Sequence, residues 1–266
     1  MTMSGDDIQP ITYAQERRII NYVDEKSLEI SRAFKKRSIP VHVVLWSFSE
    51  YFTSIRNLPS SHLRTLSAFL DAWRPLIFDL VMRIPPLEPS GRSRILLMLK
   101  MTGDLLEAIP AYSPFSGTNI PDEEELPAVP DPQAGDESPL ESLYGLLSGL
   151  DRAWVACLRC QAWDHVKQRG VDIELELDEG DEVEDAMVED SYNDVEEVET
   201  HDRPISDAPR LTSLTSTDEV RLRSMLVTGM GAIEDWLEDA PNAVRESFAA
   251  LFEETFEHLD RPYRVL

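Results

Sequence analysis

"LRTLSAFLDAWRPLIFDLVMRI", Leu63 to Ile84, decides the fold class. Its residues Leu63, Leu66, Leu70, Trp73, Ile77, Leu80 and Ile84 return at spacings of 3, 4, 3, 4, 3 and 4. Apolar residues at that period share one face of a helix, and so narrow a seam packs lengthwise against neighbouring helices. The run is shorter than the roughly three to four heptads of a free coiled coil, so a core helix of a bundle is expected. Pro75 has no N–H to donate and its ring crowds the turn before it, which predicts a kink.

Downstream, "PPLEPSGRSR" reads as a loop, and its Pro-Ser-Gly-Arg-Ser stretch as a turn. It is followed by a helix over about Ser93 to Ile109 whose "ILLMLKM" is apolar on nearly every side and belongs in the centre of the bundle. Upstream, Ser38, Ile39 and Pro40 open a helix to about Leu58 with Val44, Phe48, Tyr51, Phe52 and Ile55 on one face. Its start, "VHVVLW", also reads as a strand, but no second strand is available to pair with it. Before it, Ile11 to Arg37 forms the first helix. The closing Lys35, Lys36 and Arg37 suit the negative end of a helix dipole better than they suit a nuclear localisation signal.

Beyond residue 109 the composition changes. Seven of the eighteen prolines lie between Pro110 and Pro139 together with Asp122 to Glu125, so residues 110–138 are expected to form a Pro-rich acidic linker. Ser138 and Pro139 then open a long helix packing on the bundle, with Leu140, Leu143, Leu147, Leu150, Trp154, Cys157 and Leu158 on one side and Gly170 as its stop. Residues 171–215 form an acidic, mostly disordered segment. Residues 216–266 form a helical hairpin, with helices over about Asp218 to Glu238 and Pro241 to Leu259, co-folded with the bundle 1–109. The expected fold is all-α: an irregular bundle of about seven helices interrupted by a linker and an acidic insertion.

The net charge of −25 is local: residues 171–202 alone carry sixteen carboxylates and no Lys or Arg. Nucleic-acid binding needs cationic side chains that displace phosphate counterions, and the one basic cluster is the three-residue run ending at Arg37, so direct nucleic-acid binding is not expected. A basic protein surface is the complementary partner. The opening "MTMSGDDIQP" has no signal pattern and no apolar run reaches the length of a spanning helix, which leads one to expect a soluble intracellular protein of cytoplasm or nucleus.

No chemical motif meets its structural requirements. Cys157 and Cys160 form Cys-x-x-Cys with His165 five residues on, but a structural zinc site wants a fourth ligand and no further cysteine exists. They are read as packing residues of a helix face. The five histidines stand at no ligand spacing. "TGMGAIEDW" lacks the strand that a dinucleotide loop follows, so Gly229 and Gly231 are read as permitting close helix approach or a bend. "DEGDEVEDAMVED" breaks the order of a calcium loop. No residue is assigned a catalytic, cofactor-binding or metal-ligating role, and no cofactor is expected.

Val171 to Asp178 alternates strictly between apolar and acidic residues and reads as a potential strand. The segment is either a solvated insertion or a docking element for a basic protein, in which carboxylates attract and apolar residues add a strand or insert. The docking residues would be Ile173, Glu174, Leu175, Glu176, Leu177 and Asp178, then Glu182, Glu184, Asp185, Glu196 and Glu197. Ser191, flanked by acids in "EDSYND", fits an acid-directed kinase pattern. The expected function is a non-enzymatic adaptor or assembly factor. A chaperone-like escort of a basic client is the alternative, and an enzyme with a site assembled from residues distant in sequence is the alternative of another class.

Overall fold

A computed structural model describes residues 3–4, 11–36, 63, 65–113, 138–174 and 210–260, and the protein is all-α over them apart from short strand pairs. In chain order, α1 spans Tyr13–Lys36, α2 Leu66–Arg74, α3 Ser90–Ala108, α4 Pro139–Leu158, α5 Ser216–Trp236, α6 Asn242–Ala249 and α7 Glu253–Asp260. The helix expected over residues 38–58 lies outside the described residues, as do residues 114–137 of the linker and 175–209 of the acidic segment.

The Leu63–Ile84 seam lies in the core: Leu70 and Ile77 are fully buried, and Leu63, Leu66, Trp73 and Ile84 nearly so. Pro75 does more than kink the helix. Without a proline N–H the bonding register changes, and Pro75–Leu80 forms a π-helical stretch in which the Val81 N–H reaches back to Leu76 and Ile77 oxygens. The wider turn inserts an extra residue into the face, so Val81 and Met82 take the buried positions and Leu80 is rotated to partial exposure.

Helix α3 begins at Ser90, three residues earlier than the sequence suggests, because the Pro-Ser-Gly-Arg-Ser stretch makes its first turn instead of a separate one. The Ser90 hydroxyl donates to the Leu87 carbonyl at 3.1 Å. Ile95, Met98, Leu99, Met101 and Leu105 of α3, which packs on α1 and α5, are buried, and Leu143, Leu146, Leu147, Leu150 and Trp154 of α4, which packs on α2 and α7, have no exposed surface. Trp154 Nε1 donates to Thr102 Oγ1 at 3.1 Å, so the polar edge of this ring is satisfied inside the core.

Helices from both sides of residues 114–137 share that core. The linker starts later than composition indicates. Ile109 and Tyr112 are buried, Tyr112 donates to the Leu63 carbonyl and Trp236 donates to the Tyr112 carbonyl, which fixes residues 109–113 to the body. In α5, Gly229 permits close approach, since a Cβ there would stand 2.8 Å from the Leu106 Cβ; Gly231 meets nothing within 4 Å and serves no such purpose.

Two expected helices are shorter. The long helix from Pro139 stops at Leu158 and not near Arg169: Ala162–Asp164 and Arg169–Val171 pair as an antiparallel hairpin, β2 and β3, with Trp163 opposite Gly170. Its turn is favoured by the Asp164 carboxylate, which accepts the Val166 and Lys167 N–H groups. Trp163 stacks on Phe78 with ring centroids 6.1 Å apart, which supplies the packing a lone hairpin lacks. The last helix breaks between α6 and α7, where Phe252 turns into the left-handed region (φ 66°) and buries its ring completely. The Thr255 hydroxyl then donates to Asp151 of α4 at 2.5 Å, which fixes α7 beside α4.

Candidate functional site

The described residues stop at Glu174 within the acidic segment and resume at Arg210, and both of these roots are built into the fold. The element that holds them is the end of α4. There the Cys160 N–H donates to the Cys157 carbonyl at 3.2 Å and the Gln161 N–H to the Ala156 carbonyl at 2.8 Å, the paired bonds of a Schellman cap. Glycine usually occupies the left-handed position of that cap. Here Cys160 takes it, with φ 53°, a conformation that costs a side-chain-bearing residue about 1–2 kcal/mol.

What Cys160 gains is a side chain at that position. Its Sγ donates to the Thr212 carbonyl at 3.3 Å, on the returning root. The next residue reaches the other way: Gln161 Nε2 donates to Asp172 Oδ1 at 2.7 Å, on the departing root. Two consecutive residues thus hold the two ends of the acidic segment. Gly170 is required beside them, because a Cβ there would lie 2.0 Å from Gln161 Oε1 and 2.9 Å from the Ala156 Cβ.

Each root has further anchors. The Thr212 N–H donates to the Pro86 carbonyl at 2.8 Å and the Glu88 N–H to the Arg210 carbonyl at 2.9 Å, with Leu211 bridging to Leu87. On the departing side, Val171 is buried at the end of β3, and Ile173–Glu174, β4, pairs in parallel with Met3–Ser4, β1. The strand expected from Val171 to Asp178 is therefore present over its first residues, interrupted at Asp172, whose carboxylate accepts from Gln161.

Beneath the turn lies Arg94 of α3, 1 % exposed, donating through Nη1 to the Gln161 carbonyl at 2.9 Å. Its Nε and Nη2 have no hydrogen-bond partner among the described residues. Burial pushes the Cys157 thiol above its usual range, opposed by the Arg94 guanidinium. Cys160 is also raised, by burial and then by Cys157, again opposed by Arg94. Both sulfurs are therefore protonated thiols at neutral pH and poor nucleophiles. Cys160 lies past the end of α4, not within the helix that the Cys-x-x-Cys spacing suggested. His165 is exposed on the β2–β3 turn, and among the described residues no group of three or more His, Cys, Asp or Glu could hold a metal ion.

Of the docking residues expected from sequence, Ile173 is half-buried and Glu174 exposed on β4. Leu175, Glu176, Leu177, Asp178, Glu182, Glu184, Asp185, Glu196, Glu197 and Ser191 lie outside the described residues. The clamp itself, Cys160, Gln161, Asp172 and Thr212, was not foreseen. Its one sequence signal is Arg94, a cation directly before the apolar run Ile95 to Leu99, since such a residue is buried only when a specific acceptor needs it. Among the described residues no helix is long and apolar enough to cross a membrane. Comparison of the chain with protein-family models, with curated proteins and with solved structures gives no match.

Proposed function

We propose that the protein is a non-enzymatic helical adaptor or assembly factor that presents its acidic segment as a closed loop to a basic protein partner. The observation that supports this reading is the clamp: Cys160 and Gln161, adjacent in sequence, bind opposite ends of the segment through Thr212 and Asp172. Joining the roots ties both ends of a stretch with fourteen carboxylates between residues 175 and 202 to one point of the surface. Confinement removes part of the freedom that a free tail would lose on binding, and it raises the local potential that attracts a cationic surface. Arg203 and Arg210 are the only cations between residues 175 and 210, so most of the loop's charge is left for a partner to neutralise.

The experiment compares the intact chain with one whose Asp and Glu residues between 175 and 202 are replaced by Asn and Gln. A partner captured from extract, purified and rebound, is expected to bind the intact chain in a strongly salt-dependent manner and to be lost from the neutralised chain. Gln161→Ala, which removes one anchor of the departing root, is expected to weaken binding while leaving its salt dependence. Equal capture by the intact and neutralised chains, with no response to salt, defeats the reading and leaves the segment as a solvated spacer.

A further inference from the structure

We propose that Cys157 and Cys160 form a redox latch: oxidation of the pair to a disulfide by a hydroperoxide takes the Cys160 sulfur from Thr212 and frees the returning root of the acidic loop. As regulation of that loop, it rests on the docking function proposed above. Packing accounts for Cys157, which is 3 % exposed in the core, but not for Cys160. Cys160 is half-buried and stands in a left-handed position that glycine fills without strain. A serine there would offer the Thr212 carbonyl a stronger donor than a thiol does. What sulfur adds is a bond that oxidation withdraws.

The two cysteines are within disulfide reach. The Cys160 N–H bonds the Cys157 carbonyl at 3.2 Å, and a turn closed in this way brings its end Cα atoms within about 7 Å, where a disulfide spans about 4.4–6.8 Å. A buried cation stands beside them. Arg94, 1 % exposed, reaches into the turn to bond the Gln161 carbonyl, yet its Nε and Nη2 have no hydrogen-bond partner and it forms no ion pair among the described residues. Such a guanidinium is a charge without a counter-ion, and it favours the thiolate of either cysteine. Burial keeps both as thiols while the clamp is closed. When the root lifts, Cys160 sheds that burial with Arg94 still near, so its thiolate forms. The Cys160 thiolate attacks the O–O bond of the hydroperoxide, an S–O bond forms, and the outgoing oxygen takes a proton and leaves as water or alcohol. The Cys157 thiolate then attacks the sulfenic sulfur, the S–S bond forms, and hydroxide leaves and is protonated to water. Two thiol protons and two electrons have passed to the peroxide, and no S–H remains for Thr212.

The test treats the folded full chain with hydrogen peroxide, blocks free thiols with N-ethylmaleimide and digests with trypsin without reductant. Because Arg159 lies between the cysteines, the disulfide is expected to appear as residues 153–159 joined to residues 160–167, in protein that runs as a monomer before digestion. Hydrogen exchange on the oxidised chain is expected to speed the Thr212 and Glu88 amides by about three- to tenfold, the scale of one hydrogen bond lost, with the α4 amides from Leu143 to Leu150 unchanged. Cys157→Ser is expected to stop at the Cys160 sulfenic acid, which dimedone captures. Cys160→Ser, whose hydroxyl keeps the bond to Thr212, is expected to show no effect of peroxide on those amides. If the folded chain fails to give the joined peptides at a peroxide concentration that converts the urea-unfolded chain, the proposal is overturned. A disulfide that leaves the Thr212 and Glu88 amides as they were, or that unfolds α4 along with them, also overturns it. Failure of the docking function is a separate result, since it is scored by partner capture on the neutralised chain and leaves these peptides and amides unchanged.

Discussion

Asp218, buried at the start of α5, has a carboxylate that accepts from the Thr215 N–H and hydroxyl and from the Arg92 guanidinium, while its own N–H donates to Thr215 Oγ1. Burial alone would push its pKa up, but the hydrogen bonds from Arg92 and Thr215 outweigh it and hold the group below the ordinary value of 3.8. A lowered folded-state value means that the ionised form is the stabilising one. Its contribution is present above the ordinary value and is lost as pH falls through the lowered one. Asp218→Asn is therefore expected to cost about 1–2 kcal/mol at neutral pH, the range for losing a helix cap with a charged bond, and almost nothing in strong acid. Urea midpoints at the two pH values check this; an equal penalty at both would show that shape, not charge, is what the site needs. The Thr215–Asp218 pair spans a single helical turn, whereas Arg92 is 126 positions away and no sequence pattern points to it.

At the scale of elements, hydrophobic period located the helices and failed where tertiary contacts choose the local geometry. The seam through Leu63–Ile84 gave Leu80 a core position that the π-helical turn assigns to Val81. Ile77→Ala is expected to cost about 2–5 kcal/mol and Val81→Ala about 1–3, whereas Leu80→Ala should cost under about 1. Denaturant midpoints for the three variants would contradict the shifted face if Leu80→Ala proved as damaging as Ile77→Ala. The hairpin β2–β3 was unreadable because Trp163 and Phe78 stack across 85 positions of sequence. The break before α7 was unreadable because it depends on Asp151 accepting from Thr255. Glycines show the same limit: Gly229 and Gly231 are alike in sequence but not in surroundings. Gly229→Ala is expected to cost about 1–3 kcal/mol by overpacking against Leu106, while Gly231→Ala should stabilise α5 by about 0.5–1 kcal/mol. Opposite shifts in melting temperature are the expected readout, and shifts of one sign would refute the packing argument.

For the molecule as a whole, composition located the charge but could not say what the body does with it, and it began the linker at 110 although residues 109–113 are held to the body. Both ends of the acidic segment are structural: Thr212 and Leu214 are buried before α5, and Val171 is buried after β2. The linker likewise joins two parts of one core, because α2 packs on α4 and α3 on α5 across residues 114–137. Covalent continuity through that linker raises the effective concentration of one part at the other to the millimolar range at most, which is a small contribution beside the burial of faces this large. A protease site placed within residues 121–132 should therefore be cut without separating the molecule. The nicked protein is expected to run as one species in size exclusion at micromolar concentration and to melt cooperatively. Residues 1–113 expressed alone should be unstable or aggregate, because the apolar surfaces of α2 that face α4 and of α3 that face α5 would meet water. Two separately stable fragments after cleavage would mean that the contacts across the linker are too weak to hold one domain together, and the clamp, whose Gln161 carbonyl is held by Arg94 from the other side of that linker, would then have no rigid base.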